Sequence, residues 1–151
     1  MRPVLNLTLH KATLDQVKDG VHDLSVEDAR MVGNLIVFTS IEDARSHEER
    51  YKRAAKVAEI ARNARYSGYK PPQTGRYMTA MIGGAPWLQG YLEGALKRVG
   101  IEPVYSFSMR DKVEEEQEDG SVKKSGVFRY LGMIRPHDYR MILHRDMRPG
   151  A

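Results

Sequence analysis

The chain has 151 residues, 41% of them apolar and 29% charged, and a formal net charge of +4 from 24 basic and 20 acidic residues. That length suits one domain with a real core, and the absence of cysteine excludes disulfides and thiolate metal sites. No apolar run approaches the roughly 20 residues of a membrane span, and Met1-Arg2-Pro3 leads into a strand-like segment instead of a signal-peptide core. A cytoplasmic protein is expected. The positive balance favours acidic partners such as nucleotides or nucleic acid, although interleaved charges also describe an ordinary solvated surface.

"VLNLT" (Val4 to Thr8) alternates as a half-buried strand does, with Val4, Asn6 and Thr8 on one side. Thr13 is placed to cap a short helix that Gly20 stops, and Ser25 offers a second cap. "LIVFTS" (Leu35 to Ser40) reads as a continuous buried strand because it is rich in β-branched and aromatic residues. Ser40 then caps one long amphipathic helix, from Ile41 to about Ala64. "RYSGYKPPQTGRY" breaks it with two glycines and two prolines. This is an exposed loop, or a lid if Tyr66, Tyr69, Lys70 and Arg76 meet a ligand.

The run before Gly83-Gly84 is a strand, and Pro86 suits the first position of the helix that follows. Gly90 and Gly94 lower the propensity of that helix, so a sheet or a second subunit should pack close to it. "PVYSFSMR" is the next strand, and Asp119-Gly120 signals a hairpin. The order predicts an α/β, Rossmann-like three-layer domain over residues 1–135, with a mainly parallel sheet and a C-terminal β-hairpin. Residues 136–151 read as a basic tail with a short ordered piece from Tyr139 to Leu143.

An open parallel sheet binds ligands beyond the carboxyl ends of its strands. Those ends carry Thr8, His10 and Lys11; then Gly83, Gly84 and Ala85; then Ser106, Ser108 and Arg110, which share one face of their strand. Backbone amides at a helix start, hydroxyls and a guanidinium suit a phosphate ester or nucleotide. A plain strand-to-helix turn also explains Gly83-Gly84, since the GxGxxG spacing and the P-loop lysine are both missing. His10 is the candidate for acid–base work. The histidines do not fall at a metal-binding spacing, and no cofactor motif is present.

"LNLTLHKAT", "AMIGGAPWLQGYLEGAL", "PVYSFSMR" and "DGSVKKSGVFRYLGMI" together resemble a family of small uncharacterised bacterial and phage proteins. More loosely, Met81 to Arg110 resembles the CRISPR-associated ring nucleases and CARF-type sensors, in which a Rossmann-like dimer holds a cyclic oligoadenylate. That second resemblance implies nucleotide binding at Gly83, Gly84 and Ser108. The expectation is therefore a homodimer that binds a cyclic or linear oligonucleotide messenger of bacterial or phage immunity, sequestering it or cleaving it slowly without a metal. The alternative is an anti-defence inhibitor or adaptor that contacts a host or phage defence protein and has no nucleotide ligand.

Overall fold

A computed structural model describes residues 2–67 and 74–136. Strand β1 (Val4–Asn6) lies between β2 (Val21–Asp23) and β5 (Thr79–Ile82), and β6 (Glu102–Glu116) follows β5. These four are mutually parallel, while β7 (Val122–Ile134) returns antiparallel to β6 at the edge. The mixed α/β architecture and C-terminal hairpin are those expected. Alternation divides the sheet residues between two faces. Leu5, Ala80 and Ile82 join the main core with helices α2 (Val26–Ile36), α4 (His47–Asn63) and α5 (Pro86–Arg98). Val4, Val21, Met81 and Val104 form a smaller cluster on the opposite face, with Ala12 and Met133 packed against it. Helix α1 (Leu14–Lys18) covers that side.

Local signals set several helix starts. Thr13 makes a full capping box with Gln16, and Ser25 and Ser40 accept hydrogen bonds from the amides of Asp28 and Asp43. At the hairpin end, Gly120 has a φ of 82°, which glycine adopts without steric cost, and the amide of Gln117 donates to the carbonyl of Ser121 at 2.7 Å.

Three expectations need correction. "LIVFTS" is not a strand: α2 runs through Leu35 and Ile36, and residues 37–40 are an irregular connection. Its apolar residues serve a helix face instead, with Val32 and Ile36 buried. Arg53, from α4, donates to the carbonyls of Leu35 (3.3 Å) and Val37 (2.9 Å) and lies over the Phe38 ring, so tertiary contacts end the helix there.

The single helix from Ile41 is two helices, α3 (Ile41–Arg45) and α4, because Ser46 adopts an extended conformation and caps the second. The loop after α4 begins and ends in an antiparallel pair, β3 (Arg65–Ser67) with β4 (Thr74–Arg76). It leads to a buried Tyr77 whose hydroxyl lies 2.9 Å from His22 Nδ1. The central part of that loop, with Tyr69 and Lys70, and residues 137–151 of the tail lie outside the described residues.

Candidate functional site at the carboxyl end of the sheet

The connection after β1 leads to β2 on one side, and the chain later returns to place β5 on the other. The strand order therefore reverses at the boundary of β1 and β5, where open α/β sheets leave a crevice. A cavity of about 490 Å³ occupies that position, a volume within the usual range of small-molecule sites. It is lined by Thr8, His10 and Lys11 after β1, by Gly83 and Gly84 after β5, and by Ser106 on β6.

Six of the nine expected residues thus converge. Ala85 is the N-cap of α5 but does not line the cavity. Ser108 and Arg110 keep the face of Ser106 yet lie farther out along the hairpin, since β5 pairs with β6 only through Tyr105. The Arg110 guanidinium lies 5.9 Å from the Phe128 ring and crosses Gly126, where a side chain would strike it. Arg110 is held along the ribbon, outside the cavity lining.

The wall formed by residues 8–12 depends on Asn6, which is 4% exposed and is the single buried polar side chain among the described residues. Its Oδ1 accepts from the Thr8 amide (2.9 Å) and hydroxyl (2.7 Å). Its Nδ2 donates to the His10 carbonyl (2.7 Å) and to Asp23 Oδ1 (2.8 Å). The same Asp23 oxygen accepts from the Ala12 amide at 2.9 Å. The whole turn is tied to the ends of β1 and β2. This arrangement turns the Thr8 hydroxyl proton inward, to Asn6 Oδ1 or to the His10 carbonyl at 3.1 Å, so toward a ligand Thr8 offers a lone pair and a methyl group.

Ser106 is different. Its Oγ accepts from Gln16 Nε2 at 3.1 Å, which leaves its own proton to donate. Among the described residues, Lys11 is the cation that lines the cavity, the His10 ring lies beside it, and no carboxylate lines it. Neither the Lys11 ammonium nor the His10 ring has a hydrogen bond or ion pair among the described residues. The local field therefore favours an anion.

Gly84 has a φ of 110°, so the turn demands glycine for its backbone alone. Gly83 is not confined in this way: a Cβ there would sit 3.6 Å from a Thr8 methyl, an ordinary contact. Helix α5 starts without a side-chain cap, and Pro86 at its first turn carries no amide hydrogen.

Asn6, Asp23, Gln16 and Tyr105 escaped the sequence reading. An asparagine inside an apolar strand was the one visible signal, because a buried amide needs partners. Asp23 was hidden because β2 has three residues and only Val21 is buried.

The Tyr105 hydroxyl donates to Glu93 Oε1 at 2.8 Å. Burial, followed by that hydrogen bond and the Glu93 charge, raises its pKa well above 10. Tyr130, which donates to Asp19 Oδ2 at 2.6 Å, is raised by burial and by Asp19 in the same way. A folded pKa above the unfolded value stabilises the fold below about pH 10 and is lost as pH rises beyond it. Melting temperatures should therefore fall progressively above about pH 10. The Tyr105→Phe, Tyr130→Phe double variant should lose part of that slope; an unchanged slope would remove these phenols as its source.

The family model described as "Uncharacterized protein MJ1673 family" matches residues 2–133, which hold all of β1 to β6, nearly all of β7, and the whole cavity lining. The chain belongs to that family. No curated protein and no solved structure matches it. Among the described residues, no helix is long and apolar enough to cross a membrane, and no group of three or more His, Asp or Glu side chains is placed to hold a metal ion.

Proposed function

We propose that the cavity between β1, β5 and β6 binds the phosphate of a nucleotide, and that the ligand is a cyclic or linear oligonucleotide messenger of bacterial or phage immunity. One observation carries the reading: the switch-point cavity is lined by the Lys11 side chain, the His10 ring and the Gly83-Gly84 turn. Lys11 supplies the charge that attracts the phosphate, Ser106 a hydroxyl donor, and the glycine turn a surface without side chains.

The likeness of Met81 to Arg110 to the ring nucleases and CARF-type sensors supports the oligonucleotide. Slow cleavage without a metal would use a ribose 2′-hydroxyl as nucleophile on the adjacent phosphorus, with His10 accepting its proton. The P–O5′ bond would break, the 5′-oxygen leaving as a hydroxyl protonated by water and a 2′,3′-cyclic phosphate remaining. Ser108 and Arg110 would touch such a ligand only where it extends past the cavity along the hairpin.

The test is a thermal-shift screen with cyclic and linear oligoadenylates, followed by calorimetry. A binder gains about 2.7 kcal/mol of stability when the ligand is at 100 times its dissociation constant. Lys11→Ala should then weaken binding by about 1.5–3 kcal/mol, the scale of a hydrogen bond to a charged group. His10→Ala should slow any turnover more than it lowers affinity. If no nucleotide shifts the wild-type protein, the reading fails and the adaptor reading takes its place.

A further inference from the structure

We propose that an arginine-lined cavity at the amino end of the sheet binds a ligand with two or more adjacent phosphate groups, the chemistry shared by a free polyphosphate and a nucleic-acid backbone. The cavity measures about 460 Å³ and gathers Arg62 from the last turn of α4, Arg65 from β3, Arg76 from β4 and Arg98 from the last turn of α5. Its floor includes Val99 and Gly100, which lead from α5 toward β6. It shares no residue with the switch-point cavity, and the two lie at opposite ends of β5.

Four guanidinium groups around one space are more than the fold requires. Helix C-termini attract cations, but each carries a charge of only about −0.5, so the ends of α4 and α5 offset about one of the four. Their last carbonyls already have partners. Arg65 Nη1 donates to the carbonyls of Arg62 (2.8 Å) and Ala64 (2.9 Å), while the amides of Val99, Gly100 and Ile101 donate to those of Leu96 and Lys97. Among the described residues no carboxylate lines the cavity, and the ion pair these arginines make is Arg62 with Glu59, at 4.0 Å and with both side chains half exposed. If Glu59 offsets a second charge in full, about +2 is left for a ligand, which two phosphodiester groups would neutralise.

The β3–β4 pair sharpens the point. Arg65 stands directly opposite Arg76 in the antiparallel ladder, so the two side chains leave the same face. Like charges in that position destabilise a strand pair. The pair is held from its other face, where Tyr66 crosses Gly75 and packs edge-on against Tyr77 at 5.3 Å between ring centres. An anion between Arg65 and Arg76 turns the repulsion into attraction. Arginine in place of lysine at all four positions suits phosphate, whose oxygens the planar fork meets in pairs. Arg98 is further steadied by the Tyr51 ring, 5.2 Å from its guanidinium carbon. No aromatic side chain lines the cavity among the described residues, so the contact is with phosphates and not with bases.

Tripolyphosphate titrated into the isotope-labelled full chain tests the site by its location, apart from the switch-point cavity. The amide resonances of Arg76, Val99 and Gly100 should shift and saturate below about 1 mM in low salt, and added salt should weaken the binding. Arg76→Ala and, separately, Arg98→Ala should each raise the dissociation constant at least about tenfold. Arg30→Ala, which removes the same charge from the exposed side of α2, should change it less than about twofold. Orthophosphate should bind at least about tenfold more weakly than tripolyphosphate, since it spans fewer of the guanidinium groups. Without ligand, Arg76→Ala should keep or raise the melting temperature, because it relieves the opposition to Arg65. An oligodeoxythymidylate titrated in parallel separates the two sources: the anion that saturates Val99 and Gly100 at the lower phosphate concentration is the kind the site takes. No shift at these amides with either anion, binding that survives either arginine variant, an equal loss in Arg30→Ala, or equal affinity for orthophosphate would overturn the proposal. Where an alanine variant unfolds, lysine at the same position keeps the charge without the fork and should still weaken binding; unchanged affinity there would overturn it equally.

Discussion

Asn6→Leu is expected to destabilise the protein by about 3 kcal/mol, since it removes four hydrogen bonds of a buried side chain and leaves the Thr8 amide without its acceptor, an unpaired group costing about 1–3 kcal/mol. Leucine keeps the branched outline of asparagine but is the bulkier side chain, so some overpacking adds to the cost at this buried position. The larger change is in the polar accounting. The Thr8 amide loses its acceptor and the Thr8 hydroxyl keeps only the His10 carbonyl at 3.1 Å, while the His10 carbonyl and Asp23 each lose a donor. Some of these groups reach water once the turn opens, which keeps the total below the sum of the individual costs. Urea denaturation with an unchanged m-value is the appropriate measurement. A loss under 1 kcal/mol would mean that the wall of residues 8–12 stands without Asn6. The consequence reaches the site: His10 and Lys11 are positioned by this turn, so the folded fraction of the variant should also bind a ligand more weakly.

Leu92→Ala is expected to cost about 3 kcal/mol, within the 2–5 kcal/mol of buried leucine truncations. Leu92 is 1% exposed and belongs to the cluster that joins α5 to the sheet and to α4. The neighbouring helix presents Ala54, Val57, Ala58 and Ala61 as its buried residues. Such short side chains let the two helices approach closely, and none can extend into the space that Leu92 would vacate. The cavity should therefore persist, which places the cost above the transfer term alone. At about 2–4 °C per kcal/mol for a domain of this size, the melting temperature should drop by roughly 6–12 °C. A drop of only 1–2 °C would show that the core collapses around the smaller residue.

The sequence by itself determined the features whose cause is local. Thr13, Ser25 and Ser40 announced helix starts because a side-chain oxygen beside unpaired amides is a short-range device. Asp119-Gly120 announced the hairpin through the left-handed backbone that glycine allows. The succession of strand, glycine turn and proline-led helix fixed the α/β class, and polar residues after three strands marked the end of the sheet where the cavity lies.

Tertiary structure decided what depends on partners distant in sequence. "LIVFTS" has strand composition, yet Arg53 and the helical layer end a helix there. β2 is too short to show a period and exists because β1 offers it a ladder. Ser108 and Arg110 share a face with Ser106, but β5 stops at Ile82, so the strand carries them past the cavity. The network around Asn6 needs Asp23, seventeen residues away, and parallel pairing of β1 with β2 brings the two side chains within 2.8 Å. Alternation and capping are readable along a chain. Which strand stands beside which, and where a neighbour ends, is set only when the core closes.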